Sequence, residues 1–184
     1  MKLLDAVNLV LPKLGERPVT SLTVKHPTLA VLLPIIEQKL RSVLTRGWWF
    51  NEYAYTAPLA VDGTITLGTD TLAFRPDYPD TAVARGLKLF NPKNFDYTFD
   101  AAVPGTVTQY VQFDELPEAA AEHILYAALV EAFTTDLGVT SELQVWQTLA
   151  GSAWSDLLTE HLQQKRYSTR RTRAWRSYKR ALRS

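Results

Sequence analysis

The chain has 184 residues, of which 46% are apolar and 21% charged; this is ordinary globular usage and excludes a disordered or fibrous chain. The length allows one domain with its own core, but not two full-sized domains. Because the chain contains no cysteine, disulfides, thiolate zinc sites and cysteine nucleophiles are excluded. No apolar run approaches the roughly 20 residues of a membrane-spanning helix. Since no secretory signal is recognisable either, we expect the chain to remain in the cytoplasm where it is made.

The net charge of +1 conceals a strong asymmetry along the chain. Nine of the 20 basic residues lie between Lys165 and Ser184, where there is no acidic residue. The first 164 residues therefore hold 11 basic residues against 19 acidic ones, a balance of −8. Such asymmetry indicates that the basic segment meets an anionic partner, such as nucleic acid, a membrane surface or an acidic protein.

The first predicted helix has apolar residues at helical spacing from Leu3 to Leu14. Pro12 removes one backbone hydrogen bond and should bend the last turn. Gly15 should end the helix.

The second predicted helix begins at Pro27, because proline suits the first position of a helix. Pro34 predicts a kink within it. Gly47 is the expected left-handed residue that ends it.

Residues 48–113 change to a period of two and are rich in turn residues, which predicts a small antiparallel β insertion. Asp62-Gly63 lies between two alternating runs, 59–61 and 65–67, and predicts a hairpin. Proline residues confine the remaining strands to short lengths. The strand candidates are Thr71–Phe74, Leu87–Phe90, Tyr97–Phe99 and Thr106–Phe113.

Helical spacing returns at Pro117, and Gly138 should end this third helix. Its predicted buried face consists of Ala120, Ile124, Ala128 and Phe133.

A fourth helix should begin at about Glu142, with Ser141 and Gln144 as a capping box. Its apolar stripe contains Trp146, Leu149, Ala153, Leu157 and Leu162. Because no proline or glycine after Gly151 interrupts the pattern, one helix should extend to about Arg180, a length of about 60 Å, and project from the body.

These patterns predict an α+β fold, mostly a bundle of about four helices with a small antiparallel β insertion and a long projecting C-terminal helix. The predicted organisation is a helical domain of residues 1–47 and 114–164, a β insertion of residues 48–113, and a basic extension of residues 165–184.

No pattern of catalytic or ligand-binding residues is recognisable, so we expect no enzyme, no cofactor and no metal. His26, His123 and His161 are far apart in sequence and belong to no metal-ligand motif. A group of carboxylates lies where the third helix begins. The helix dipole favours negative charge at this end, so it explains these residues without a catalytic pair. Its members are Asp114, Glu115, Glu118 and Glu122.

The basic extension alternates arginine with aromatic residues, and its residue types allow three interpretations. It could be a solvated helix end whose cations offset the dipole. It could bind nucleic acid by phosphate neutralisation and stacking. It could also dock in an acidic protein groove, with arginines as forked donors and aromatic residues as anchors. The candidate contact residues are Arg166, Tyr167, Arg170, Arg171, Arg173, Trp175, Arg176, Tyr178, Lys179 and Arg180.

Three segments of the chain carry a recognisable family pattern: residues 14–22, beginning Leu-Gly-Glu-Arg-Pro-Val, residues 46–52, Arg-Gly-Trp-Trp-Phe-Asn-Glu, and residues 113–118, Phe-Asp-Glu-Leu-Pro-Glu. In this order, they resemble the tail tubular protein A family of short-tailed bacteriophages, the head-to-tail adaptors. The resemblance covers roughly residues 2–137, and beyond Gly138 it consists only of a long helix. The motif positions are Gly15, Pro18, Gly47, Trp48, Phe50, Asn51 and Pro117.

The resemblance implies a structural virion protein that performs no covalent chemistry. It implies a ring, expected to hold twelve copies, that lies below the portal and above the tail nozzle, is assembled in the host cytoplasm and lets DNA pass through its centre. The implied partners are other copies of the chain, the portal protein, the nozzle protein and genomic DNA in transit, with tail fibres as a further candidate and no membrane. The alternative is a nucleic-acid-binding protein that acts through its arginine-rich C-terminal helix.

Overall fold

The computed structural model describes residues 1–137 and 141–165. These residues form an α+β fold of four α-helices and two small antiparallel sheets, which confirms the predicted fold class. The helices are α1 (Leu3–Val10), α2 (Pro27–Leu44), α3 (Glu118–Leu137) and α4 (Ser141–Gln164), with 3-10 turns at Leu11–Leu14 and Phe113–Glu115. The strands are β1 (Glu52–Ala57), β2 (Thr71–Pro76), β3 (Val83–Arg85), β4 (Lys88–Phe90) and β5 (Val103–Gln109).

Proline and glycine set the helix limits in the first 47 residues, as predicted. The α-helix changes to a 3-10 turn immediately before Pro12, which has no amide hydrogen to continue the α-helical bonding. Gly15 ends the turn with φ 76°. Pro27 is the first residue of α2, and Gly47 follows its end with φ 78°. Helix α2 runs through Pro34, and the kink there stays a prediction.

The helices enclose one apolar cluster, to which the alanine-rich face of α3 contributes. Ala120, Ile124 and Ala128 are fully buried, as predicted, and Phe133 is partly buried. Small side chains let α2 and α4 approach the α3 backbone closely, which explains the alanine content of this face. Helix α3 begins one residue after Pro117, whose carbonyl accepts the first helical hydrogen bond from Ala121 at 3.1 Å.

On α4, the predicted apolar stripe is correct at Trp146, Ala153 and Leu157, which are buried. The prediction is wrong at Leu162, whose side chain is 50% exposed. The inward position in that turn belongs to His161, which packs against aromatic rings, and adjacent residues on a helix point about 100° apart. Gly138, the side chain of Ser141 in the capping box, and the extension of the helix to Arg180 all lie outside the described residues.

The β residues form a three-stranded sheet in the order β1-β5-β2, with every pairing antiparallel. Val107 lies opposite Tyr53 on one side and opposite Phe74 on the other. Strands β3 and β4 form a separate two-stranded sheet. A second apolar cluster lies among these strands and the turns between them: Ala57, Ile65, Leu67, Phe74, Ala82, Leu89, Val103 and Val107.

The predicted hairpin at Asp62-Gly63 is correct as a turn but wrong in its pairing. Gly63 has φ 78°, and the Thr64 amide donates to the Asp62 carboxylate at 3.0 Å. The run 65–67 then pairs with the β4 segment, where the Leu89 amide donates to the Ile65 carbonyl at 3.1 Å. This pairing buries the run in the second cluster, whereas residues 59–61 stay exposed.

Of the other strand candidates, Thr71–Phe74 lies within β2, Leu87–Phe90 covers β4, and Thr106–Phe113 overlaps β5 but extends beyond it. Tyr97–Phe99 is not a strand, because its only ladder contact is an isolated bridge from Thr98 to Thr64. Strands β1 and β3 were not among the candidates. The division of the chain into a helical domain, a β insertion and a basic extension stays a prediction.

Candidate assembly interface

The ten predicted contact residues between Arg166 and Arg180 lie outside the described residues. The structure does describe the base from which this segment continues. Helix α4 ends at Gln164, and Lys165 follows in a turn beside the start of β1. The residues around this base, at the junction between α2, β1 and α4, therefore form the candidate site.

Glu52, the first residue of β1, binds two cations at this junction. Its carboxylate pairs with the Lys165 ammonium group and accepts a hydrogen bond from the Arg75 guanidinium at 2.9 Å. The hydrogen bond from Lys165 lowers the pKa of Glu52 most, and Arg75 lowers it further against the opposing effect of burial. The ion pair connects the end of α4 to the sheet.

Gly47 makes room for this carboxylate. A Cβ atom at position 47 would lie 3.0 Å from Oε1 of Glu52, closer than atoms of this kind normally pack. The left-handed backbone at Gly47 also disfavours any residue with a side chain. The backbone conformation thus favours glycine where α2 turns toward the sheet, and a side chain there would in addition displace the Glu52 carboxylate.

Trp48 joins α2 to α4. Its indole Nε1 donates to the Val43 carbonyl at 2.7 Å, which satisfies the polar atom of this buried ring. Its ring meets Trp154 and His161 of α4 edge to face, with centroids 5.2 and 5.3 Å apart. Aromatic pairs in this geometry contribute more stability than the burial of their surface area alone. They therefore hold the end of α4 against the Gly-Trp-Trp-Phe-Asn-Glu segment.

The packing around His161 favours its neutral form. Burial lowers its pKa, and the nearby Lys165 lowers it further, whereas Glu52 opposes the shift. Its Nδ1 atom is buried and has no hydrogen-bond partner among the described residues. Protonation of the ring would therefore place a charge beside Lys165 with little solvent to stabilise it.

Asn51 connects the end of α2 to the central strand of the sheet and is completely buried. Its side-chain oxygen accepts a hydrogen bond from the Trp48 amide at 2.8 Å. Its side-chain nitrogen donates to the carbonyls of Leu44 at 3.0 Å and Gln109 at 2.8 Å. One side chain thus satisfies three backbone groups from two elements.

Most residues of this junction belong to the Gly-Trp-Trp-Phe-Asn-Glu segment or to the end of α4. The amino-acid sequence of the chain, which includes both, can be compared with the sequences of known proteins. The sequence matches the tail tubular protein family over residues 4–174. The chain belongs to this family. It is also 29% identical to tail tubular protein A of Klebsiella phage KP34 over 182 residues, which cover 98% of both chains. The family assignment makes it a structural protein of a bacteriophage tail.

The other family-motif positions have structural roles in the same fold. The ring of Phe50 meets that of Trp49 edge to face, with centroids 5.0 Å apart. Pro18 is exposed and directly precedes Val19. The backbone of Val19 exchanges two hydrogen bonds with the Asn8 side chain, of 2.8 and 2.9 Å. Sequence reasoning missed Asn8, although a polar residue in an apolar helix is a signal that a backbone partner is needed.

The three histidines are apart, and two of them belong to the helical core. His123 on α3 packs against Trp154, with ring centroids 4.8 Å apart, and burial lowers its pKa. His26 lies beside Glu16 at 3.9 Å. Among residues 1–137 and 141–165, no group of three or more residues could hold a metal ion. No helix in the same part of the chain is long and apolar enough to span a bilayer.

The β residues expose several large apolar side chains to solvent. Tyr78 is almost fully exposed, and Phe95 is 83% exposed. The backbone of Phe95 lies in the left-handed region, with φ 59°, which is unfavourable for an aromatic residue. Strain of this kind persists where the surrounding fold imposes it and is typical of functional positions.

Proposed function

We propose that this chain is a head-to-tail adaptor of a short-tailed bacteriophage. In this role its copies form a ring, expected to be a dodecamer, that joins the portal to the tail nozzle and lets DNA pass through the centre. The observation that carries the proposal is the match to the tail tubular protein family along almost the whole chain, together with a relative named tail tubular protein A. The protein then acts by assembly, and we expect no catalysis.

The basic extension would dock on the portal. The ion pair between Lys165 and Glu52 and the rings packed on His161 fix its base at one place on the subunit. A segment that starts from a fixed base reaches its partner with a smaller loss of conformational entropy. Its arginines would bind carboxylates of the portal as forked donors, and Trp175 and Tyr178 would fill pockets between them.

The remaining surfaces would serve the rest of the assembly. The body carries 19 acidic residues against 11 basic ones, and like charge would keep DNA from adhering to the channel wall. The β insertion, with Tyr78 and Phe95 exposed, would face the nozzle or neighbouring subunits, and tail fibres are a further possible partner. The ring would lie below the portal in the virion, after assembly in the host cytoplasm. We expect a monomer in solution and a ring where the portal presents equivalent sites.

Co-sedimentation with purified portal rings tests the docking. A variant that ends at Lys165 keeps the ion pair with Glu52 and should fold but no longer sediment with the portal. A second variant with lysine at Arg166, Arg170, Arg171, Arg173, Arg176 and Arg180 keeps the charge but loses the forked geometry, so its docking should be weakened. Electron microscopy of the mixture should show a ring on the portal. Docking that survives the truncation would contradict the role of the extension, and no ring on the portal would contradict the adaptor.

A nucleic-acid-binding protein is the second candidate, because the same extension combines arginines with stacking aromatic residues. Phosphate contacts make the logarithm of affinity fall linearly with the logarithm of salt concentration. Tight DNA binding by the isolated protein with a steep salt slope, lost in the truncated variant and kept in the lysine variant, would favour this candidate. Weak binding with no dependence on residues 166–184 would favour the adaptor.

A further inference from the structure

A cleft of about 430 Å³ lies between α2, α3 and α4, next to the motif junction, with which it shares Trp154. Its lining includes Lys39 and Ser42 of α2, Arg46 just after α2, His123 of α3, and Gly151 and Trp154 of α4. Two of these side chains are permanent cations, whereas the body as a whole has an excess of carboxylates. The cleft therefore differs in charge from its surroundings.

The two cations of the cleft are only partly paired. The guanidinium of Arg46 lies over the Trp154 ring, 4.8 Å from its centroid, and no carboxylate in the described part of the chain pairs with it. Lys39 pairs with Glu131. Both cations line the cleft together with His123, whose pKa is lowered mainly by burial and further by these two charges, against the hydrogen bond to Ala150.

His123 adds a polar atom to the cleft wall. Its Nδ1 donates to the Ala150 carbonyl at 2.9 Å, so the neutral ring carries its proton there. The contact fixes the ring orientation against α4. The wall thus combines a stacked guanidinium, which presents its donors in a fixed fork, with an aromatic floor.

Gly151 is the second, independent observation. It lies inside α4, where glycine is less favourable than alanine because it loses more backbone freedom. A Cβ atom at this position would meet no atom within 4 Å, so packing inside this chain does not require glycine. Such a residue at the edge of a cleft allows another backbone to approach the helix closely.

We propose that this cleft receives a carboxylate-bearing segment of a second copy of this chain, with the carboxylate on Arg46 and the backbone against Gly151. This inference rests on the proposed ring, in which each copy touches the next through two different surfaces. The chain itself supplies the complementary charge, since its body holds eight more acidic than basic residues. Among the exposed carboxylates where α3 begins, Glu115 is best suited to the contact, because Asp114 accepts a hydrogen bond from the Leu3 amide and Glu118 pairs with the Met1 amine.

Site-directed crosslinking on the portal-bound ring identifies the occupant. Because the chain has no cysteine, Gln147→Cys gives one attachment point, exposed beside the cleft, for a photoreactive maleimide. Labelled copies are mixed with unlabelled, isotopically heavy copies, so that mass spectrometry distinguishes links between copies from links within one. Links to an acidic peptide of a heavy copy are expected, and Lys13→Cys with the same label is the control. The inference would be overturned if the label linked only to the portal or only within its own copy, or if it formed no link to protein at all.

Substitutions that fill or reverse the cleft give a second test. Gly151→Leu should leave the melting temperature of the monomer unchanged or higher, yet reduce ring formation on the portal about tenfold or more, the effect of losing roughly one buried contact. Arg46→Glu should reduce ring formation by as much, although the loss of the contact with the Trp154 ring should also lower the melting temperature. Arg17→Glu, an equal charge change elsewhere on the surface, should not reduce ring formation. If either cleft variant formed rings on the portal as well as the wild type does, the inference would be refuted and the adaptor role would be unaffected. Failure of wild-type protein to form any ring would instead refute the adaptor role and, with it, this contact.

Discussion

Lys165, the last described residue before the arginine-rich segment, pairs with Glu52, the first residue of the sheet. The two residues are 113 positions apart in sequence, so the contact exists only in the folded chain. The contact connects the sheet to the residue from which the basic extension continues. Substitution of Glu52 can therefore test how much this contact stabilises the fold.

Removal of the Glu52 charge should destabilise the protein only above acidic pH. The pKa of Glu52 in the folded protein is below its ordinary value of 4.5, chiefly because of the hydrogen bond from Lys165. Its contribution is therefore present above pH 4.5 and is lost as pH falls through the lowered pKa. Glu52→Gln should lower the free energy of unfolding by about 1 kcal/mol at pH 7, since Arg75 is largely exposed and Lys165 partly exposed, and by less at pH 3. Urea unfolding at both values measures this, with Glu115→Gln, which should be neutral at pH 7, as control.

Asn51→Ala should be more harmful than any change to the ion pair. The substitution removes the side-chain partner of the Trp48 amide and of the Gln109 carbonyl in a buried place, whereas the Leu44 carbonyl keeps its hydrogen bond from the Gly47 amide at 3.1 Å. Because each unsatisfied buried group costs about 1 to 3 kcal/mol, a total loss of roughly 2 kcal/mol or more is expected. Asn94→Ala, at an exposed position, is the matched control. Equal unfolding midpoints for the two variants would show that Asn51 is not a structural link.

The roles of Asn51 and Glu52 also show where sequence reasoning ends. The residues that limit the first two helices, Gly15, Pro27 and Gly47, act within their own turn, so they were predicted correctly. The partners of Asn51 and Glu52 include Gln109 and Lys165, which are distant in sequence. The family motif drew attention to Asn51, but only the fold explains why an amide is needed there.

The strands were harder to predict for the same reason. Strand β5 pairs with β1 and β2 rather than with its neighbour in sequence, β4. Short alternating runs indicate that a strand exists but not its partner, which explains the wrong pairing of the run 65–67. Strand β1 was missed because several of its side chains are exposed and it shows no clear apolar face.

Two glycine-to-alanine substitutions should have opposite effects. At Gly105, in β5, a Cβ atom would lie 2.5 Å from the Arg75 carbonyl oxygen and 2.6 Å from the Phe74 ring. Backbone and a packed ring must both move, so Gly105→Ala should cost about 1 to 3 kcal/mol. At Gly151 the added methyl group meets open space, so Gly151→Ala should stabilise the monomer by up to about 1 kcal/mol. Thermal unfolding of the pair checks this, and a Gly105→Ala variant as stable as wild type would contradict the close approach of β2 and β5.

His161 and His123 should make the protein less stable as pH falls below the ordinary histidine pKa. Burial lowers the pKa of both rings in the folded protein below the ordinary histidine value of 6.5, so the unfolded chain binds protons more readily in this range. Their neutral forms contribute full stability above pH 6.5, and that contribution is lost as pH falls through the lowered values. His161→Phe keeps the aromatic contact with Trp48 and removes the titration, so its free energy of unfolding should change less between pH 7 and pH 5 than that of the wild type. His26→Phe, the same substitution at a position beside Glu16, is the control, and a pH dependence unchanged by His161→Phe would show that protonation of the His161 ring does not oppose folding.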